Sequence, residues 1–270
     1  MIYQMLVLDL DGTLTNSKKE ITEPTRKALI EIQEAGKKVV LASGRPINGI
    51  VPLAEELELA RFGGYMLSFN GGRITQCSTG QIVYNKILPP EVIRPIYETV
   101  STYPSLDIVT YDNEHLISGL HTNKYTEEES FINHMDIIHP DDFVSHITFP
   151  VNKLLITGEP ELLVELSKKL QKRYRKYLNI YRSMPYFLEI MPQNIDKANS
   201  LQKLLNSIGL TNDSMICCGD GFNDVSMIEF AGLGVAMGNA QAPIKEVANF
   251  ITKSNDEDGV LHVINLFMRN

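Results

Sequence analysis

Asp9 and Asp11 stand two residues apart at the end of the apolar run 5–8, with Gly12 and Thr13 directly behind them. Side chains alternate along a strand, so both carboxylates point the same way beyond its end. Two carboxylates so close repel, which invites a bound cation or a shared proton. Asp and Gly are also ordinary turn residues, and the pair taken alone fits a solvated strand end equally well. The decision falls to distant segments. Ser43-Gly44-Arg45 follows a second apolar run, 38–42, and Gly219-Asp220-Gly221-Phe222-Asn223-Asp224 follows a third, 215–218. Lys197 opens a stretch with Ala198, Leu201, Leu205 and Ile208 at helical spacing. Carboxylate and carbonyl oxygens suit a hard cation such as magnesium. Backbone N–H groups at helix N-termini, a hydroxyl and a cation suit a phosphate. The set holds both kinds of group and no cluster of thiolates or imidazoles.

The elements that must position these residues follow from the pattern. The run 5–8 is too apolar for a half-exposed sheet and reads as the buried centre of a parallel one. Thr22 caps a helix ending at Gly36, with Thr25, Ala28, Leu29 and Ile32 on its apolar stripe. Strand, helix, strand is a right-handed βαβ unit, which puts Ser43 at the same sheet edge as Asp9. That carboxyl edge is where open α/β sheets bind ligands. Residues 65–69 form a third strand, and Asn70-Gly71-Gly72 reads as a hairpin turn leading into Ile82-Val83-Tyr84. From residue 86 to 188 the character changes: Pro89 and Pro90, then aromatic, alternating strands at 106–111, 153–157, 180–181 and 187–190, with an amphipathic stretch at 161–174. The first pattern then resumes to the C-terminal helix. The expected fold is α/β, a doubly wound, Rossmann-like parallel sheet built from residues 1–85 and 189–270. Residues 86–188 insert into it as an α+β cap domain.

With 270 residues, 43% of them apolar, the chain is long enough for two cores. Its net charge of −8 argues against nucleic acid or an anionic membrane as the main partner. No basic region precedes the first apolar run, no run approaches a bilayer-spanning length, and the three cysteines, Cys77, Cys217 and Cys218, form no C-x-x-C pair. A cytoplasmic protein of a reducing compartment is expected, and the net charge does not exclude a small anionic substrate.

Asp9-Leu10-Asp11-Gly12-Thr13, Ser43-Gly44-Arg45, Lys197 and the 219–224 segment together resemble the four motifs of the haloacid dehalogenase-like (HAD) hydrolases. The insertion point, Asn70-Gly71-Gly72, Phe187-Leu188-Glu189-Ile190 and Ser254-Asn255-Asp256-Glu257-Asp258-Gly259 are similar to the Cof-type branch. The lysine is flanked here by Asp196 and Ala198, where the family usually has Ser and Gly; the lysine itself is kept. The resemblance implies an aspartyl-phosphate mechanism, with Asp9 as nucleophile and Asp11 as acid and then base. Magnesium would be held by the Asp9 carboxylate, the Asp11 backbone carbonyl and Asp220, with Asp224 a further ligand or an orienter of Lys197. It implies that the phosphoryl group is held by the Leu10 N–H, Ser43, Gly44, Lys197 and Asn223. Arg45 and, in the insertion, Arg182 are candidate substrate contacts; Tyr186 and Glu189 lie close by in sequence.

The expected activity is magnesium-dependent hydrolysis of a small phosphorylated metabolite. A phosphomutase on the same fold and a non-catalytic sugar-phosphate sensor are the alternatives. Asp11 disfavours a carbon–halogen hydrolase, since such relatives lack the second aspartate. Gly219-x-Gly221-x-x-Asp224 lacks the third glycine of a dinucleotide fingerprint, and no Walker-type phosphate loop occurs.

Overall fold

The strand β1 (Met5–Leu8) is buried at every position, as four consecutive apolar side chains require when a sheet is covered on both faces. A computed structural model of the chain describes residues 3–269. After β1 comes α1 (Glu23–Glu34), capped by Thr22 and starting with a proline in its first turn. β2 (Lys38–Ala42) then pairs parallel with β1. Two short helices, α2 (Val51–Glu56) and α3 (Leu59–Phe62), lead to β3 (Tyr65–Ser68), parallel to β2. The turn at Asn70 does make a hairpin, but its second strand is β4 (Arg73–Gln76), with β5 (Ile82–Asn85) one strand further out. β4 carries a single large apolar residue, Ile74, so it has little pattern to announce it.

The chain divides into two units: residues up to Tyr84 with those from Asp196, and Asn85–Ile195. In the second unit α4 (Pro90–Val100), β6 (Asp107–Tyr111), β7 (His115–Ser118), α5 (Lys124–Asn133), β8 (Asp136–Ile138) and α6 (Phe143–His146) come first. They are followed by β9 (Leu154–Thr157), α7 (Pro160–Tyr174), β10 (Leu178–Met184) and β11 (Phe187–Pro192). The six strands form one sheet in the order β10-β11-β9-β6-β7-β8, antiparallel except between β7 and β8. Ile96 and Val100 of α4 and Leu163, Leu166 and Leu170 of α7 pack on Ile108, Ile156, Leu188 and Ile190 of the sheet, a core of its own. The expected return to the first unit at residue 189 is displaced to 196. Residue 189 lies within β11, which pairs with both β9 and β10 and so belongs to the second sheet.

The first unit resumes with α8 (Lys197–Ile208), β12 (Met215–Gly219), α9 (Val225–Phe230), β13 (Leu233–Ala236), α10 (Ala242–Val247), β14 (Phe250–Ile251) and α11 (Gly259–Phe267). Its eight-stranded sheet runs β14-β13-β12-β1-β2-β3-β4-β5, with the first six strands parallel. One face packs Leu6, Leu8, Leu41, Ile216 and Cys218 against α1 and α11; the other packs Met5, Val7, Val40 and Cys217 against α8. β1 lies between β2 and β12, so the chain leaves it on one side and returns on the other. That is the topological switch point, where a crevice opens at the carboxyl ends of parallel strands. Among the described residues no helix is long and apolar enough to cross a membrane.

Candidate active site

Asp9, Lys197, Asp220 and Asp224 meet at this switch point. Lys197 is completely buried at the first position of α8, which Asp196 caps by accepting the Asn199 N–H at 2.8 Å. Its ammonium donates to Asp9 Oδ1 at 2.6 Å, Asp224 Oδ1 at 2.6 Å and the Ala42 carbonyl at 2.8 Å. An ammonium has three N–H bonds, and all three are used, one each on the ends of β1 and β2 and on the loop after β12. Asp224 Oδ2 accepts the N–H groups of Asp220, at 3.0 Å, and Gly221, at 2.9 Å, which shapes that loop. Asp220 Oδ1 accepts from Thr13 Oγ1 at 2.9 Å. Gly12, at φ +83°, leaves no room for a Cβ beside the Asp220 carboxylate.

Oxygen atoms of Asp9, Asp220 and Asp224 all lie within 4.8 Å of one another. Burial, and after it the Asp224 charge, pushes Asp9 up to about 8, with Lys197 opposing. Burial likewise raises Asp220 to about 6 against the Thr13 hydrogen bond. Burial works against the Lys197 ammonium, but the two carboxylates outweigh it and hold the group above the ordinary lysine range. Three carboxylates face one ammonium, and the surplus negative charge, presented on oxygen, fits a hard divalent cation. Asp224 is the least available of the three, because each of its oxygens already accepts from protein N–H groups.

Asp11 turns away from this group. Its Oδ2 accepts from Arg45 Nε at 2.9 Å, and its Oδ1 from Arg45 Nη2 at 2.6 Å and Lys19 Nζ at 2.7 Å. Burial alone would raise Asp11, but the forked Arg45 contact and Lys19 prevail and hold it below the usual carboxylate range. Among the four aspartates expected around a metal, Asp11 is therefore the one whose side chain stands outside the acidic group of Asp9, Asp220 and Asp224. Arg45, expected as a substrate contact, is engaged with Asp11 and with the Gly49 carbonyl at 3.2 Å.

Ser43 is buried after β2; its Oγ accepts the Arg45 N–H at 3.2 Å, which tightens the turn. Gly44 and Asn223 both adjoin Asn70: Asn223 Nδ2 donates to Asn70 Oδ1 at 3.1 Å. Leu10 sends its side chain into the core between the two aspartates. Arg182 is exposed on β10 of the second unit, opposite Leu188. In that unit Tyr186 donates to Glu128 at 2.9 Å, and Glu189 is buried and accepts from Tyr181 at 2.9 Å.

Several contributors escaped the sequence reading. Lys19 reaches Asp11 from a left-handed position, φ 65°, in a turn built by Asn16, whose Oδ1 accepts the N–H groups of Lys18 and Glu20. The 254–259 segment, part of the family resemblance, braces the loop behind Asp11. Asp256 accepts from the Ser17 N–H at 2.8 Å and its hydroxyl at 2.6 Å, Asn255 donates to the Thr15 carbonyl at 2.9 Å, and Asp258 accepts from Thr22 at 2.5 Å. Asn239, which accepts the Asn255 N–H at 3.0 Å, donates to the Gly12 carbonyl at 2.8 Å.

Comparison with known proteins identifies the family. Residues 6–264 match the family model of the haloacid dehalogenase-like hydrolases. A Bacillus subtilis protein named putative phosphatase YxeH is 33% identical over 270 residues, covering 97% of each chain. The 5-amino-6-(5-phospho-D-ribitylamino)uracil phosphatase YcsE of the same organism is 32% identical over 261 residues, covering 97% of this chain and 94% of that one. Among solved structures, a haloacid dehalogenase-like hydrolase from Bacteroides thetaiotaomicron superposes with a TM-score of 0.94 at 50% identity, covering 97% of this chain and 98% of that one. Motif order, strand order and these matches converge on one assignment: the chain belongs to the haloacid dehalogenase-like hydrolases, in their Cof-type branch.

Proposed function

We propose that the protein is a magnesium-dependent phosphatase of small phosphorylated metabolites, working through an aspartyl-phosphate. The observation that carries this reading is the buried Asp9 carboxylate at the sheet's switch point, 2.6 Å from the Lys197 ammonium and beside Asp220 and Asp224. Relatives named as phosphatases, three of them over 30% identical along nearly the whole chain, support it.

In this reading an Asp9 oxygen attacks phosphorus and the ester P–O bond breaks. The departing alkoxide takes a proton from Asp11. Asp11, again a carboxylate, then removes a proton from water, which attacks the aspartyl-phosphate; the Asp9–phosphorus bond breaks and inorganic phosphate leaves. Lys197 holds Asp9 in place and offsets the negative charge gathered around it. Asp9, Asp220 and the Asp11 carbonyl would hold magnesium, which would supply charge neutralisation for the phosphoryl oxygens. The Arg45 and Lys19 contacts keep Asp11 anionic, which suits its work as a base; the acid step requires Asp11 to leave Arg45 and gain a proton. Ser43, Gly44, Asn223 and the Leu10 N–H form the phosphate cradle. A cytoplasmic setting fits the three unpaired thiols.

The test is a phosphate-release screen over phosphorylated metabolites with magnesium. Free phosphate without any bisphosphate activator supports hydrolysis over a mutase. Asp9→Asn should abolish turnover of a generic aryl phosphate; near-normal turnover in that variant would remove Asp9 from its role.

A further inference from the structure

The turn after β3 has an uncommon backbone. Phe69 and Asn70 are consecutive non-glycine residues at positive φ, 53° and 51°. Asparagine tolerates that region; a bulky aromatic residue does so at a cost. The turn persists because the elements around the site hold it. The Phe69 N–H donates to the Arg45 carbonyl at 3.0 Å and the Asn70 N–H to the Ser43 carbonyl at 2.9 Å. On the other side, Ser200, one turn along α8 from Lys197, donates to the Gly71 carbonyl at 2.6 Å. The segment is thus fastened to the Ser43-Gly44-Arg45 loop and to the helix that carries Lys197.

This fastening aims the Asn70 carboxamide. Its two polar atoms lie 3.1 Å from where a Cβ on Gly44 would stand, so a side chain at that position would press on the carboxamide. Its Oδ1 accepts from Asn223 Nδ2 at 3.1 Å. Gly44 and Asn223 sit on different strand-end loops, after β2 and after β12, and one side chain adjoins both. Asn70 is itself partly exposed, so a ligand can reach it.

Resting on the phosphatase reading, we propose that Asn70 is a further residue of the phosphate cradle, whose carboxamide bridges Gly44 and Asn223 and orients the Asn223 amide toward the phosphoryl group. The positive-φ turn is then the backbone conformation that this placement requires. A purely architectural turn would be served better by glycine, which adopts positive φ freely.

Two variants separate these roles. Asn70→Gly keeps the turn and removes the carboxamide; Asn70→Asp keeps the shape and brings a negative charge beside the phosphate. Three quantities are measured: the melting temperature, kcat and KM for an aryl phosphate in magnesium, and the affinity for inorganic phosphate in magnesium by calorimetry. The expected result for Asn70→Gly is a melting temperature equal to wild type or higher with kcat/KM down about ten- to a hundredfold, the range for a lost hydrogen bond to a charged group. Phosphate affinity should fall in both variants, more in Asn70→Asp. Unchanged kcat/KM and phosphate affinity in Asn70→Gly would overturn the proposal. So would a loss of activity matched by a lower melting temperature in both variants with phosphate affinity intact, which marks a structural role. If the wild-type protein binds phosphate but releases none from any ester, the phosphatase reading fails, and the calorimetric comparison still decides the place of Asn70.

Discussion

Replacing Lys197 by methionine tests the centre of the site. The substitution keeps most of the buried volume and removes an ammonium that makes three hydrogen bonds, two of them to carboxylates at 2.6 Å. Asp9 and Asp224, both buried, are left facing each other without their cation. Breaking a buried ion pair by deleting one partner costs about 3–5 kcal/mol, because the remaining charge stays desolvated. For a chain of this size each kcal/mol moves the melting temperature by roughly 2–4 °C, so a fall of about 6–20 °C is expected. The measurement is thermal unfolding by circular dichroism in a chelator, so that no divalent cation substitutes for the lysine. Asp9, already pushed up to about 8, rises further once the ammonium is gone. A carboxyl group whose folded value lies above its unfolded one stabilises the fold below that unfolded value and loses the contribution as pH rises through the folded one. The deficit should therefore shrink as pH is lowered from 8 toward 5. Adding Asp224→Asn removes one of the stranded charges, and the double variant should recover at least about 1 kcal/mol relative to the sum of the single changes. A Lys197→Met protein that melts within a degree or two of wild type across that pH range would refute the reasoning.

Two further outcomes are expected. Beyond the loss of turnover in Asp9→Asn, Gly12→Ala should raise the magnesium concentration needed for activity, since its Cβ collides with Asp220 and its φ of +83° disfavours alanine; the strain should cost about 1–3 kcal/mol of stability. An unaltered magnesium dependence would show that Asp220 does not need its present position. The thiols should be inert in the native protein at neutral pH: burial pushes Cys77 up to about 12 and raises Cys217 and Cys218 as well, so almost no thiolate is present. Their reaction with a disulfide reagent should quicken about tenfold per pH unit while thiolate remains scarce, and all three should react at once in denaturant. A native thiol reacting at the unfolded rate would contradict this.

The sequence by itself determined the parallel core and the residues at its active edge. The apolar runs of β1, β2 and β12 are short, uninterrupted and buried throughout or nearly so, and each stops at a polar motif. Burial on both faces and alternation at the strand end are local consequences of residue type, which is why Asp9, Ser43 and Asp220 could be placed on one edge before any contact was known. Tertiary structure decided how those residues divide their partners. Asp11 and Asp9 are two residues apart, yet one faces Arg45 and Lys19 and the other Lys197; the positive φ of Gly12 and the left-handed turn at Lys19 redirect the chain just beyond Asp11. Asn70 joins the site, and Asp256 braces it, through hydrogen bonds that span 153 and 239 residues. The strand at 187–190 reads in sequence as part of the insertion and pairs there, but the boundary expected at residue 189 cuts through it, since an apolar strand carries no mark of where its sheet ends. Periodicity records which face of an element is buried; the partner on the far side of a long loop is chosen by packing and by turn dihedrals, and those are set when the whole chain folds.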